Sequence, residues 1–230
     1  QSASDANDTV ICAAGSLPGD LHKLWRVRSS LGYHVEYAFS CMGYEIAAGL
    51  GAARAGAMPI VMVGDGSYLM MHTEIVSAVA EGLKFVVVLI QNHGYASIGH
   101  LSESIGSQRF GTQYRFHDAQ GNNFENNQKL PVDLAANAAS LGIDVISIKE
   151  SPSAIADLHA AVKKAKASQT ATLIHINSDP LLYSPSGEGW WDVPIAPIST
   201  LKSTQDAYAK YSVDIKKQRP LLGNGKKDKK

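Results

Sequence analysis

The sequence predicts an α/β protein built on an open, doubly wound, mostly parallel sheet. Two observations carry this. Short β-branched runs alternate with stretches of helical periodicity, and most of the runs are continuously apolar. A strand needs continuous apolarity when helices cover both faces of its sheet. The alternating order along the chain then favours parallel neighbours joined by crossover helices.

The first apolar run covers residues 9–13 and leads into Gly15-Ser16-Leu17. Residues 33–37 are a weaker strand candidate. Residues 44–55, rich in Ala and Leu, read as a helix, and residues 59–63 as the next strand. Residues 70–81 set Ile75, Val76 and Val79 on one helical face ahead of the run 85–91. Residues 94–127 are polar, punctuated by Gly, Asn and Gln, and read as a long loop, either functional or disordered. Residues 131–141 open on Pro131 and stop at Gly142, which are helix start and stop signals. Residues 145–148 and 172–177 are the last strands. Between them, residues 153–167 put Ile155, Leu158 and Val162 on one stripe and lysines on the other. Beyond Pro180 come Pro185, Trp190, Trp191, Pro194 and Pro197, then a helical stretch at 201–217 and a Lys-rich end at 223–230. The expected division is a sheet domain over residues 1–182 and an extension over residues 183–230 that holds the helical stretch and a disordered tail.

With 45% hydrophobic residues in 230, a full core is available. Lys+Arg and Asp+Glu both number 21, so the chain has no electrostatic footprint for nucleic acid or an anionic membrane. Its apolar runs are far too short to span a bilayer. Cys12 and Cys41 cannot build a disulfide framework or a four-cysteine zinc site. They fit a reducing compartment, and the cytoplasm is the expected location.

Ligands of open α/β sheets bind at the carboxyl ends of strands. Two polar signals stand at such ends. Val63 leads into Gly64-Asp65-Gly66-Ser67, and Ile90 into Gln91-Asn92-His93-Gly94. Asp65 and Asn92 are 27 residues apart, room for a loop, a helix and the next parallel strand. The two side chains are therefore expected side by side. Mg²⁺ takes oxygen ligands and often shares them with a bound phosphate. Asp65 offers a carboxylate, Asn92 an amide oxygen and Gly94 a carbonyl. Gly64 and Gly66 let the backbone approach closely, and the Ser67 region opens a helix whose free N–H groups suit a diphosphate. Gly-Asp-Gly alone also fits an ordinary turn; the asparagine at this spacing separates the two readings.

Gly64-Asp65-Gly66 with Asn92 resembles the cofactor fingerprint of thiamine diphosphate enzymes. That fingerprint usually ends in two asparagines, and Gln91 stands here for the first, which is not a ligand. The resemblance implies Mg²⁺ held by Asp65, Asn92 and the Gly94 carbonyl. Ser40-Cys41-Met42-Gly43-Tyr44-Glu45 is similar to the family segment that props the cofactor in a bent shape. Met42 would be the prop, and the Ser40 carbonyl would hold the aminopyrimidine. Gly15-Ser16-Leu17 resembles a further diphosphate-side loop, and His93, beside Asn92, suits either a contact to diphosphate or substrate or a hydrogen bond within its loop.

Residues 12–25, 36–45, 96–112 and 190–194 resemble the trihydroxycyclohexane-1,2-dione hydrolase family of inositol breakdown. That family implies a hydrolase that opens a cyclic 1,2-diketone at a C–C bond to give 5-deoxy-glucuronate. It places this domain at the C-terminal end of a chain well over twice as long. The glutamate that contacts N1′ of the aminopyrimidine belongs to an N-terminal pyrimidine-binding domain, supplied in cis or in trans, and Glu36 and Glu45 lie in the wrong domain to replace it. A homo-oligomer of the full enzyme is implied, and this chain by itself is expected to be inactive. Two rival readings stay open: a carboligase or decarboxylase similar to acetolactate synthase, and a non-catalytic cofactor-binding fragment. Within residues 96–112, Ser97 and Arg109 are the candidate contacts to a polyhydroxylated ring, with a nearby carboxylate as the competing partner of Arg109.

Other motifs read as structure. Gly49-Leu50-Gly51 lies inside a helical pattern, so helix packing explains it better than a dinucleotide loop. Cys41 has no histidine partner in view. Trp190 and Trp191 suit either a cap over the site or plain packing.

Overall fold

The chain lays down six strands: β1 (Asp8–Cys12), β2 (Tyr33–Val35), β3 (Met58–Gly64), β4 (Val86–Gln91), β5 (Asp144–Ile148) and β6 (Thr172–Asn177). Eight helices accompany them among the described residues: α1 (Leu17–Leu24), α2 (Tyr44–Arg54), α3 (Asp65–Met70), α4 (Glu74–Ala80), α5 (Ala96–Ser104), α6 (Leu134–Ser140), α7 (Ala154–Ala167) and α8 (Lys202–Asp214). The structure is a computed structural model, and it describes residues 1–121, 127–185 and 192–218. Trp190, Trp191 and the Lys-rich end lie outside the described residues.

The strands pair in the order β2-β1-β3-β4-β6-β5, and every neighbouring pair is parallel. The chain adds β2 on one side of β1 and β3 on the other, so the sheet has a topological switch point between β1 and β3. Such a point opens a crevice at the carboxyl ends of the strands.

Adjacent residues of each strand go to opposite cores. Ile11, Val61, Val87, Leu89 and Leu173 face a core completed by Ile46 and Leu50 of α2, Ile75 of α4 and Leu134 of α6. Val10, Ile60, Val86, Val88 and Ile174 face the other, closed by Leu21 near α1's end and Leu158 and Val162 of α7. This double burial is why the runs are continuously apolar. Each such side chain contributes roughly 1.5–3 kcal/mol when fully buried. Gly49 of α2 sits where a Cβ would come within 2.5 Å of Val61, so Gly49 serves packing, whereas a Cβ at Gly51 would meet nothing within 4 Å.

Three expectations need correction. The segment after β1 is not only a loop: α1 begins at Leu17, with Pro18 in its first turn, Asp20 near its start and His22 and Lys23 in its last turn. Residues 70–81 are not one helix. Met71 leaves the helical conformation (φ −156°, ψ 75°) and separates α3 from α4. Residues 94–127 are not all loop, because α5 occupies Ala96–Ser104. Its apolar residues Ile98 and Leu101 are exposed and only Gly99 is buried, so it lacks the buried stripe that marks a helix in sequence.

The chain divides into two compact units. One holds Gln1–Ile98 and Phe110–Ser184 and contains the whole sheet. The other holds Gly99–Arg109 and the described part of Pro185–Lys230. Within this second unit the Gly106 carbonyl accepts from the Ser203 and Thr204 hydroxyls at 2.7 and 2.8 Å. Among the described residues, no helix is long and apolar enough to cross a membrane.

Candidate functional site

In the register of the parallel β3–β4 pair, Gly64 stands opposite Ile90, so both strands end at the same level. Asp65 leaves β3 next to the point where Asn92 leaves β4. The Asp65 side chain is fully buried. Its Oδ1 accepts the Gly66 N–H at 3.0 Å, and its Oδ2 accepts the N–H groups of Asn92 and Gly94 at 3.1 Å each. Burial pushes this carboxyl above its ordinary value, and the backbone N–H groups of Gly94, Gly66, His93 and Asn92 oppose that shift. One carboxylate thus joins both turns.

The Asn92 amide oxygen is buried and has no hydrogen-bond partner among the described residues. An unsatisfied buried acceptor costs about 1–3 kcal/mol. A hard cation beside the Asp65 carboxylate would supply the missing partner. Among the described residues, no group of three or more His, Cys, Asp or Glu could hold a metal. A cation here therefore depends on amide, carbonyl and ligand oxygens besides Asp65. That donor set suits Mg²⁺ and not zinc.

The turn after β4 is held by its backbone. His93 is left-handed (φ 60°), a conformation that costs a non-glycine residue about 1 kcal/mol or more. Gly94 bridges antiparallel to Gln113, with the Tyr95 N–H donating to Thr112 O at 2.7 Å and the Tyr114 N–H to His93 O at 2.9 Å. A Cβ at Gly94 would meet the Thr112 carbonyl oxygen at 2.2 Å. The Gln91 amide accepts from His175 Nε2 at 2.8 Å and donates to Val132 O at 2.9 Å. Burial pulls both His93 and His175 below the ordinary histidine value. A cavity of about 710 Å³ opens beside these groups, and Asp133, Lys149 and Asn177 also line it.

The other expected cofactor segments converge on the turn after β3. A Cβ added to Gly66 would come within 2.7 Å of the Tyr95 ring and 3.3 Å of the Met42 methyl, so Met42 reaches the Gly-Asp-Gly turn. The Gly43 N–H donates to Ser67 Oγ at 2.7 Å, and the Ser67 hydroxyl donates to Glu45 Oε2 at 2.6 Å. Glu45 Oε1 in turn accepts the Ala14 N–H at 3.4 Å. Ser40 is exposed and left-handed (φ 48°), in a loop closed by Glu36, which accepts from the Phe39 and Cys41 N–H groups. Gly15 (φ 81°) and Ser16 are exposed at the end of β1, and Leu17 begins α1. Cys12 and Cys41 are free thiols, one buried and one exposed.

Ser97 is half-buried in the first turn of α5. Arg109 lies in the second unit, largely buried, and pairs with Glu103 at 2.6 Å, the competing partner that the sequence allows. Sequence reasoning missed Tyr114. Its ring meets Tyr95 edge to face with centroids 5.7 Å apart, and burial followed by the Asp65 charge raises its phenol above the ordinary value. No spacing pattern points to it. It reaches the site through the bridge between Gly94 and Gln113.

The family described as thiamine pyrophosphate enzyme, C-terminal TPP binding domain, matches residues 13–176. The chain is 37% identical over 217 residues to 3D-(3,5/4)-trihydroxycyclohexane-1,2-dione hydrolase 2 of Bacillus cereus, covering 94% of this chain and 33% of that protein. It is 38% identical over 205 residues to a 3D-(3,5/4)-trihydroxycyclohexane-1,2-dione hydrolase of Clostridium botulinum, covering 88% of this chain and 31% of that one. The chain thus spans about a third of the length of the curated relatives it matches. Among solved structures, benzoylformate decarboxylase from Polynucleobacter necessarius shares the fold. Its TM-score is 0.63 at 16% identity, over 79% of this chain and 32% of that one. The thiamine diphosphate-dependent 4-hydroxybenzoylformate decarboxylase of Rhodococcus jostii gives 0.62 at 18% identity, over 77% and 31%.

Proposed function

Because the chain belongs to the family of C-terminal thiamine pyrophosphate-binding domains, we propose that it holds thiamine diphosphate through Mg²⁺ at the ends of β3 and β4. We propose further that it forms half of the active site of a C–C hydrolase acting on a cyclic 1,2-diketone. The observation that carries the metal reading is the buried Asn92 amide oxygen, left without a partner beside the Asp65 carboxylate. Asp65, Asn92 and the Gly94 carbonyl would be the protein ligands. The Gly64–Ser67 turn and His93 would lie along the diphosphate, as would Gly15, Ser16 and Leu17. Met42 would support the cofactor's bend, and the Ser40 carbonyl would meet the aminopyrimidine.

When bound, thiamine diphosphate supplies carbanion stabilisation at its thiazolium ring. This chain's residues would orient the cofactor, neutralise its diphosphate through the metal and exclude water from that end. The two hydrolases from Bacillus cereus and Clostridium botulinum support a trihydroxycyclohexane-1,2-dione as substrate, and the place in inositol breakdown rests on the sequence resemblance. Their length supports a pyrimidine-binding domain, in cis or in trans, as the necessary partner. Ser97 and Arg109 are the proposed substrate contacts.

Calorimetry tests the cofactor reading: the folded chain should bind thiamine diphosphate with Mg²⁺ and lose that affinity in excess chelator. Adding the N-terminal region of the same enzyme should then produce ring-opened acid from the cyclic dione. A condensation product from pyruvate would instead establish a carboligase. Absence of both products in a complex that binds cofactor would leave a binding module.

A further inference from the structure

Glu45 is the second residue of α2, and its side chain is 1% exposed. Among the described residues, no lysine, arginine or histidine pairs with it. A buried carboxylate without a counter-ion is costly unless several donors satisfy it. Its donors come from two other segments. Ser67 Oγ, in the turn after β3, donates at 2.6 Å, and the Ala14 N–H, at the end of β1, reaches it at 3.4 Å. Ser67 Oγ also accepts the Gly43 N–H, from the methionine segment, at 2.7 Å.

We propose that Glu45 is a positioning residue: its carboxylate holds the β1 end, the Met42–Gly43 segment and the Gly64–Ser67 turn in one arrangement before any cofactor arrives. The proposal rests on the cofactor reading above for the purpose of that arrangement, but the tie itself belongs to the bare chain. Proton count fixes its direction. The Gly43 N–H can only donate, so Ser67 Oγ accepts there and its single hydrogen goes to Glu45. The Ser67 hydroxyl therefore has no hydrogen left for a phosphate oxygen, and what Ser67 offers a diphosphate is its backbone N–H.

The same count predicts that glutamine cannot replace Glu45, although it has the same shape. If the amide oxygen accepts from Ser67, the amide nitrogen faces the Ala14 N–H, donor against donor. If the oxygen turns to Ala14, the nitrogen donates to Ser67 Oγ, and the serine hydrogen loses its acceptor. Either way one hydrogen, on the Ala14 nitrogen or on Ser67 Oγ, loses its acceptor.

The test is amide hydrogen exchange on the full 230-residue chain without ligand, followed by calorimetry with Mg²⁺ and thiamine diphosphate. In Ser67→Ala, exchange at Gly43 should rise about tenfold, the size of one lost hydrogen bond. Exchange at Ala14 should rise, by less, in Glu45→Gln alone, because its bond is the longest of the three. Exchange at Val61 and Leu89, inside the sheet, should not change; a merely structural loss would raise it everywhere. Cofactor affinity should fall about tenfold in each variant, and the double variant should lose no more than the worse single one. Unchanged protection of Gly43 in Ser67→Ala and of Ala14 in Glu45→Gln, or affinity losses that multiply in the double variant, would overturn the proposal. A wild-type chain that gives no binding heat would overturn the cofactor reading, and the exchange result would still decide the tie.

Discussion

The turns after β3 and β4 leave neighbouring strands at the same level, yet they are held in opposite ways. Asp65, Gly66 and Ser67 are all buried, and side-chain oxygens satisfy them: the Asp65 carboxylate takes the Gly66 N–H, and Glu45 takes the Ser67 hydroxyl. Asn92, His93 and Gly94 are held mainly through the main chain, by donation to Asp65 and by the bridge to Gln113. The Asn92 amide oxygen in that second turn is left without a partner. The side-chain oxygens of the first turn are satisfied without a ligand, and the Asn92 side-chain oxygen of the second is not. Polar satisfaction thus divides the labour between them: one turn places the charge, and the other keeps an oxygen in reserve for what the charge attracts.

The largest expected effect comes from breaking the group the two turns share. In Asp65→Asn, one oxygen becomes a nitrogen that must face N–H donors from Gly66 or from Asn92 and Gly94. Charge-assisted bonds lost there cost about 1.5–3 kcal/mol each, offset in part by relief of a buried charge. Ligand-free stability should fall by about 1–3 kcal/mol in urea unfolding, still leaving a folded chain. Metal-dependent cofactor affinity should fall by on the order of a hundredfold in calorimetry, because the diphosphate loses its neutralising partner. Affinity like that of the wild type would remove Asp65 from the site.

A second experiment sets the two turns against each other with the same substitution. At Gly94, a new Cβ would lie 2.2 Å from Thr112 O and 2.8 Å from Gln113 Cα, both backbone atoms that cannot swing aside. Gly94→Ala should cost about 2–4 kcal/mol. At Gly64 there is nothing within 4 Å, and the backbone is ordinary extended chain (φ −83°). Gly64→Ala should therefore change stability by less than about 1 kcal/mol. Equal losses in urea unfolding would mean that the second turn is no more tightly held than the first.

Much of this contrast was legible in the sequence, because strand ends and metal-binding oxygens leave local marks. The apolar runs located five of the six strands, the weaker candidate at residues 33–37 held β2, and Asp65 with Asn92 marked two adjacent ends. What was not legible depends on contacts far along the chain. Tyr114 reaches the site through a bridge to Gly94, and the Ser67–Glu45 bond joins segments 22 residues apart. Gln91 looked like a silent replacement for asparagine, but its extra methylene lets one amide span His175 on β6 and Val132 before α6. The α5 helix escaped notice for another reason: exposed Ile98 and Leu101 give it no core-facing stripe. The grouping of Gly99–Arg109 with the C-terminal residues has no sequence mark at all.

Gln91 allows a smaller test of the second turn. Gln91→Asn restores the residue usual in thiamine diphosphate enzymes but shortens the side chain by one methylene. Its bonds to His175 and Val132 should break, at a cost of about 1–2 kcal/mol in urea unfolding. Because Gln91 offers the metal nothing, cofactor affinity should stay within about threefold of wild type. A much larger loss of affinity, with stability unchanged, would make Gln91 part of the cofactor site itself.

The smallest effect is a pH dependence confined to the support of the second turn. Burial holds His175 below the ordinary histidine value, against the opposing charge of Asp133. As pH falls from 7 to 5, the unfolded chain takes up this proton before the folded chain does. His175 therefore contributes stability that is full above the unfolded value, near 6.5, and is lost as pH falls. His93 is shifted in the same direction, and Asp65, whose carboxyl is raised, works the opposite way once the pH nears the carboxylate range. The informative quantity is thus a difference between two slopes, from which those common contributions cancel. In His175→Gln the amide can still donate to Gln91, but nothing there titrates. The melting temperature of this variant should fall less steeply between pH 7 and 5 than that of the wild type, by a few degrees at most, since about 1 kcal/mol moves a chain of this size by roughly 2–4 °C. Parallel melting curves for the two proteins would show that His175 supports the second turn without a change of charge between pH 7 and 5.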